Sequence, residues 1–563
     1  AGIDTEDAGP ASTAIETSDD ATTPPSTPGT ITNPTSTVAT TTAPTTTIAE
    51  PSPAQHWITV DGGQLVDRRT GDVFVPRGVN MLRKRGMGGD KLFQSYDPDW
   101  VDDQLRAIRA LDFNTVRVFI DMCMPCTSTS AGVRDDFLDH LAHLIERVAA
   151  HGLVAMLTSN DVPDPGYSDR LPCCEPFGGY RNSLYLSPEG HEIAAEYFGD
   201  VLTGLLERGA PLEAVMAWQL ANEWFVLRDV PPISLTSGVV TAADGNAYDL
   251  ADDEQVADMV AGSLTAYIDG VAAAIRRHDP DGLVTIGFFA AEEPGAGRVA
   301  ADHRWVMPEV ALRAPGLDLV DLHAYPGLGA TWPRQVAAFG LDEDVTVPVV
   351  LGEFGAFLAA HPDAASAAEA LVRWQLDSCA HGFAGWLVWL WGGPDDDEVF
   401  AADADEAAIA RALSPMERPD PCDPGGYRSS NLALGRPATA SAAESDEYGA
   451  GNVSDGSVGT WWSAGAGPPQ WVEIDLREPR TVVTIRVVGG PVAAGGEHVY
   501  RVVVGGPTLG DGTAVGELRG SVGSGADLTL VLDPPVDDVT SVRVEAVSVD
   551  GWVIVHEIEV AGA

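Results

Sequence analysis

Two apolar runs in this sequence end on a glutamate that a buried strand has no structural use for. Ala214-Val-Met-Ala-Trp-Gln-Leu-Ala-Asn222-Glu223 is one, and Val347-Pro-Val-Val-Leu-Gly352-Glu353-Phe-Gly355 is the other. A third run ends Val320-Asp-Leu-His323-Ala-Tyr325-Pro326, a fourth reads Gly385-Trp-Leu-Val-Trp389-Leu-Trp391, and a fifth carries Arg117. Cleaving a glycosidic bond takes a carboxylic acid to protonate the leaving oxygen and a second carboxyl group on the opposite face of the sugar ring. Glu223 fits the acid, later base, with a pKa raised by burial and by the charge of Glu353. Glu353 fits the nucleophile, kept ionised by Arg117 and by a hydrogen bond from Tyr325. Asn222 is placed to bond a sugar 2-hydroxyl, His323 to orient Glu223 or touch the substrate, and Trp389 to serve as a sugar platform. A single Asn-Glu on a strand end is ordinarily a cap or an ion pair; Glu353, His323 and Tyr325 on matching strand ends argue against that. Trp386 and Trp391 read as packing residues, because neighbours along a strand point to opposite faces. Asp161, Glu292 and Glu293 read as solvated carboxylates, and His151, His278 and His381 as helix-end cations.

Bringing such groups together takes a scaffold that presents many strand ends at one mouth. From Trp57 to Ser414 short β-rich runs alternate with helical patterns, as in βα units around a parallel sheet. Eight strands are predicted: Val73 to Asn80, Asn114 to Ile120, Leu153 to Ser159, Ala214 to Leu220, Leu283 to Phe289, Leu319 to His323, Val347 to Gly352 and Ala384 to Trp391. Phe137, Leu141, Leu144, Ile145 and Val148 recur at helical spacing with Gly152 beyond them, and Asp97-Pro98 opens another helix. No GxGxxG follows the first strand. Residues 56–414 are therefore predicted to form an α/β fold, a (β/α)8 TIM barrel with enlarged loops. Strands four and seven of such a barrel face each other across its mouth. Glu223 and Glu353 can then converge to roughly 5 Å, the separation that retains anomeric configuration.

The remaining chain is organised differently. Residues 1–55 are Thr/Pro/Ser-rich, without Lys, Arg or an aromatic ring, and read as a disordered linker that cannot offset its ordering entropy. Residues 415–428 read as a Pro-rich linker, and residues 429–563 as an all-β jelly-roll sandwich of short alternating strands. A net charge of −50 repels phosphate backbones and anionic lipid, so nucleic acid is an unfavourable partner, and no apolar run is long enough for a membrane span. Of the 6 cysteines, Cys123-Met-Pro-Cys126 alone would allow zinc, but no second CxxC exists and disulfides in an exported protein are favoured. The expected pairing joins Cys123 and Cys126 with Cys173 and Cys174, and Cys379 with Cys422. The chain begins at Ala1 without a leader, consistent with a secreted, processed protein.

Leu-Ala-Asn222-Glu223, His323-Ala-Tyr325, Gly352-Glu353-Phe-Gly355 and Trp389 resemble glycoside hydrolase family 5, of clan A of retaining (β/α)8 glycosidases, over about residues 57–414. The resemblance implies acid/base Glu223, nucleophile Glu353, supporting Arg117, Asn222, His323, Tyr325 and Trp389, and no cofactor for catalysis. One departure follows strand three: many members carry histidine where this chain reads Thr158-Ser159-Asn160-Asp161, leaving Asn160 as the candidate there. The Ala-Asn-Glu and His-x-Tyr-Pro phrasing is similar to some β-mannanases, which implies a β-mannan or manno-oligosaccharide substrate, with β-glucan as the alternative. The C-terminal region, through Asn431-Leu-Ala-Leu-Gly-Arg-Pro437, Asp455-Gly456, Thr460-x-Trp462-Ser463, Trp471-Val-Glu-Ile-Asp-Leu476 and His556-Glu557-Ile-Glu-Val560, resembles the discoidin, or coagulation factor type C, sandwich, including carbohydrate-binding modules of family 32. That resemblance implies a carbohydrate partner and a structural calcium ion near the Asp-Gly turn, with Asp455, Thr460 and Glu557 as hard oxygen ligands; a metal-free turn is the other reading. Trp461 and Trp552 are candidates to stack on sugar. The expected whole is a secreted, monomeric glycosidase. A non-catalytic glycan-binding or adhesion protein with a degenerate barrel, and a transglycosidase, are its rivals.

Overall fold

The computed structural model describes residues 55–562, except 83–91, 174–175, 327–329, 342–344, 362, 394–398, 424–430, 457–459, 490–496, 522–526 and 550. The expected linker over residues 1–55 lies outside the described residues apart from its last position. Eight parallel strands close a barrel: Arg77–Met81, Thr115–Phe119, Val154–Thr158, Val215–Gln219, Leu283–Thr285 continued by Gly287–Phe289, Val320–His323, Val349–Phe354 and Phe383–Trp391. Closure runs through the split fifth strand, whose first half pairs with the fourth strand and whose second half pairs with the sixth. Strands one and seven start later than their apolar runs, because Pro76 and Pro348 have no N–H to give a neighbour. Strands two, three and four are buried at every residue, which is why their sequences read as continuous apolar runs rather than alternating ones.

The outer helices follow their predicted signals. Asp97 caps Pro98–Ala110 by accepting from the Trp100 N–H at 3.2 Å. Asp135–Ala150 buries Phe137, Leu141, Leu144, Ile145 and Val148, and Gly152 follows at φ 70°, a left-handed turn open to glycine. An unanticipated hairpin, Ile58–Asp61 with Gln64–Asp67, plugs the amino end of the barrel: Ile58 and Leu65 pack with Met156, Leu283, Val350 and Leu387. With that end filled by apolar side chains, the polar interior positions are concentrated toward the opposite mouth.

Over its described part, the Pro-rich linker after the barrel is anchored by side-chain contacts. Arg418 is 4% exposed and donates to Gln375 Oε1 at 2.7 Å, Arg77 reaches the carbonyls of Leu413 and Arg418, and the expected Cys379–Cys422 disulfide ties the segment to helix Ala364–Cys379. The other expected pairing is corrected. Cys123 bonds Cys126, since one turn of helix, Met124–Thr127, brings their Cα atoms to 5.2 Å, and Cys174 lies outside the described residues.

The C-terminal region is an antiparallel β-sandwich with no α-helix among the described residues. Gln470–Gly489 and Asp527–Ser548 pair along most of their length, with register shifts after Asp475 where the ribbon bends. Trp462, Ile474, Ile485, Tyr500, Val544 and Ile558 fill its core. His361, beyond barrel strand seven, donates from Nδ1 to the Gly456 carbonyl of the sandwich at 3.0 Å. No helix among the described residues is long and apolar enough to cross a membrane.

Candidate active site

Above the apolar plug, inward positions of the strands carry Asn80, Arg117, Thr158, Gln219 and Asp321, each fully buried. Arg117 is their hub. Its Nε donates to Gln219 Oε1 at 2.8 Å, Nη1 to Asn80 Oδ1 at 2.7 Å and Glu353 Oε1 at 2.5 Å, and Nη2 to Asn222 Oδ1 at 2.7 Å. A guanidinium without solvent contact needs both its charge and its donors answered, and Glu353 and Asp321 supply the counter-charge. The other oxygen of Glu353 accepts from the Tyr325 hydroxyl at 2.9 Å. Both oxygens are thus held in place by separate donors.

Glu223 stands just past strand four with about a third of its side chain exposed, 32% against 5% for Glu353. Its Oε1 accepts from His323 Nδ1 at 2.9 Å, and the same nitrogen lies 3.5 Å from Glu353 Oε2. The polar atoms of Glu223, His323 and Glu353 approach one another to within 4.8 Å, with the imidazole beside both carboxylates.

The electrostatics follow from this layout. Burial alone would drive the His323 pKa down, but Glu353 and Asp321, with the Glu223 hydrogen bond, lift it to about 10, so the ring is an imidazolium at neutral pH. Burial pushes Glu223 up, yet the donor and charge of His323, with Arg117 and Arg181, bring it below the ordinary glutamate value. For Glu353, burial together with repulsion from Glu223 outweighs His323 and Arg117 and leaves it raised. The site therefore reverses the order expected from sequence, because a protonated imidazole bonds Glu223 first.

The Gly352-Glu353-Phe354-Gly355 run has a steric origin. A Cβ at Gly352 would stand 1.8 Å from Asp321 Oδ1, and one at Gly355 would stand 2.5 Å from the Trp389 carbonyl oxygen and 3.2 Å from the Tyr325 ring. Only glycine lets these groups close around Glu353. Trp389 is half-buried, edge-on to Phe119 with ring centres 6.1 Å apart, whereas Trp386 and Trp391 are buried as expected.

Asn160 lies at the end of strand three, but its hydrogen bonds go to Asp121 and Asp161 rather than to the glutamates. Asp161 is not solvated, as its sequence position suggested. It is half-buried and ion-paired to Arg181 at 3.2 Å, while Glu292 and Glu293 are exposed as expected. Arg181, which the motifs did not single out, also donates to the Glu223 carbonyl at 3.4 Å and lies 3.9 Å over the Phe225 ring. Asn80, Gln219 and Asp321 were likewise missed; a polar residue inside an otherwise apolar run was the signal available for each.

In the sandwich, Thr460 Oγ1 donates to Asp455 Oδ2 at 2.7 Å and the Gly456 N–H to Glu557 Oε2 at 3.3 Å. Glu557 is 1% exposed, its Oε1 has no hydrogen-bond partner among the described residues, and burial with the charge of Asp455 pushes its pKa well up. An orphaned carboxylate oxygen beside a second carboxylate is a donor set that a hard cation would satisfy.

Comparison with known proteins decides the identity of one domain. Residues 437–558 match the F5/8 type C domain family. No curated protein matches the chain by sequence. Among solved structures the chain is similar to an exo-beta-1,4-mannosidase from Opitutaceae bacterium strain TAV5, at 19% identity and TM-score 0.42, covering 63% of this chain and 58% of that one. The chain thus spans a little over half the length of that relative. A Streptomyces cattleya GH5_18 protein in complex with Manb1-4GlcNAc gives 16% identity and TM-score 0.41, covering 64% of this chain and 84% of that one. For the F5/8 type C region, a chitosan-binding module of a chitosanase/glucanase from Paenibacillus sp. IK-5 gives 27% identity and TM-score 0.21, covering 23% of this chain and 98% of that one.

Proposed function

We propose that the chain is a secreted, retaining β-glycosidase, with a β-mannan or manno-oligosaccharide as favoured substrate, in which Glu353 attacks the anomeric carbon and Glu223 protonates the departing oxygen. The observation that carries this reading is the approach of the two carboxylates to within 4.8 Å at the ends of strands four and seven. That leaves no room for the water that an inverting enzyme lodges between groups roughly 6.5–9.5 Å apart. In the first step a Glu353 oxygen bonds to the anomeric carbon as the glycosidic C–O bond breaks, and the leaving oxygen takes its electron pair and the Glu223 proton. In the second, water gives a proton to Glu223, attacks the same carbon and frees Glu353. Arg117 and Tyr325 hold Glu353 along the attack direction, and Asn222, fixed by Arg117, is available to the sugar 2-hydroxyl. Trp389 offers the sugar a half-buried face.

Substrate binding also prepares the acid. Glu223 is the more exposed glutamate, and a sugar that covers it removes water which now helps keep it ionised. The proton that His323 shares with it across 2.9 Å then moves to the carboxylate. The F5/8 type C domain would bind carbohydrate and raise the local enzyme concentration on a polymer. The test is reducing-sugar release on a β-mannan, manno-oligosaccharide and β-glucan panel, with the product anomer followed by NMR. Turnover with net retention supports the reading, and inversion or no turnover on any substrate removes it.

Calcium at Asp455, Thr460 and Glu557 is part of the same proposal. It would neutralise the buried Glu557–Asp455 pair and do no chemistry in the barrel. Stripping divalent cations is expected to lower the sandwich melting temperature by several degrees, with calcium restoring it. A melting curve indifferent to chelator and calcium would mean a metal-free turn.

A further inference from the structure

Asp321 has no part in the two displacement steps, yet it is fully buried directly beneath them. Its Oδ2 accepts from Gln219 Nε2 and, at 3.3 Å, from His323 Nε2, and it lies 3.4 Å from Arg117 Nε. Gln219 cannot turn away from it. The Gln219 carbonyl oxygen already accepts from Arg117 Nε and from Thr158 Oγ1, which leaves its amide nitrogen facing Asp321. The missing side chain of Gly352 makes the space that the Asp321 carboxylate fills. Four strands thus cooperate to hold one carboxylate against the far nitrogen of His323.

We propose that Asp321 is a positioning residue for the glutamate pair: by engaging His323 Nε2–H it fixes the ring so that a charged Nδ1–H faces Glu223 and Glu353. The proposal rests on the double-displacement reading and assigns a task to a residue which that reading leaves idle. Around His323 stand Glu223 from the end of strand four, Glu353 from strand seven, Arg117 from strand two, and Asp321 and Tyr325 from its own strand and the turn beyond. Phe289 of strand five is its register neighbour and brings no charge. Two glutamates and Asp321 make the surroundings net negative despite Arg117, so the ring keeps its proton at neutral pH. Removing one negative charge from this enclosed cluster lowers the proton affinity of every member.

The expected consequence has a sign. In Asp321→Asn both limbs of the pH profile of kcat/KM move to lower pH, by a unit or more, because the acidic limb reports a cluster that now loses protons more easily and the alkaline limb a proton now lost sooner. At pH 7 kcat falls at least ~10-fold while KM changes little, since Asp321 does not touch the sugar. Asp321→Ser removes the same charge with a smaller side chain and should shift the limbs in the same direction. In parallel, histidine-selective 15N labelling, with His323→Gln to assign the signal, follows the ring directly in the ligand-free protein. The wild-type ring should keep both nitrogens protonated beyond pH 8 and the Asn variant should titrate lower. A wild-type ring neutral at pH 7, or limbs that stay in place while amplitude falls, would overturn the proposal. Absence of turnover in wild type alongside the expected NMR titration would instead sink the glycosidase reading and leave Asp321 in its role.

Discussion

Glu353→Gln should abolish turnover of natural substrate, with kcat down on the order of 10⁴-fold or more, because an amide cannot form and release the glycosyl ester that links the two steps. Glutamine is close to isosteric, so Tyr325 can still donate to the remaining carbonyl oxygen. Arg117, however, loses its nearest counter-ion in a site with no solvent contact. Breaking a buried pair from one side costs about 3 kcal/mol. A lowered but cooperative melting transition should therefore accompany the loss of activity. The decisive measurement is covalent: a slow-turnover fluorinated glycoside should add its sugar mass to the wild-type peptide carrying Glu353 and to no other. Labelling elsewhere, or a Gln variant within tenfold of wild type, would rule out Glu353 as nucleophile.

The barrel was legible because its strands are buried on both faces and so stand out as continuous apolar runs between amphipathic helices. The exceptions have specific causes. Pro76 and Pro348 trimmed strand starts, and the fifth strand breaks at Ile286 between halves that pair with different neighbours. The hairpin Ile58–Asp61 with Gln64–Asp67 went unseen because each strand has 4 residues, too few to show a period. Glu223, Glu353, His323 and Tyr325 were legible because their residue types are costly to bury and end apolar runs. Asn80, Gln219 and Asp321 sit inside such runs, and their roles depend on which strands are adjacent, a property of closure that no single run contains. The disulfide pairing failed for a related reason: the expectation weighed neighbouring loops, whereas one short turn brings Cys123 and Cys126 together. The pKa order failed because the position of His323 between the glutamates could not be read from spacing alone.

The second large effect separates acid/base catalysis from mere support. In Glu223→Ala, natural substrates with alkoxide leaving groups should lose roughly 10²- to 10⁴-fold in kcat/KM, since no proton arrives at the departing oxygen. An aryl glycoside with a strongly acidic phenol needs no such proton, so its first step should be nearly preserved. Its second step then lacks the base that activates water, and the glycosyl-enzyme should accumulate as a burst with lowered apparent KM. Azide, a nucleophile that needs no deprotonation, fits the space vacated by the carboxylate and should restore turnover with a glycosyl azide of retained configuration as product. The basic limb of kcat/KM should vanish for the activated substrate, because its leaving group draws no proton from the His323–Glu223 pair. His323 loses its 2.9 Å partner but keeps Glu353 and Asp321, so the remaining site stays ordered. Equal losses for good and poor leaving groups, with no rescue by azide, would mean that Glu223 only supports the fold of the mouth.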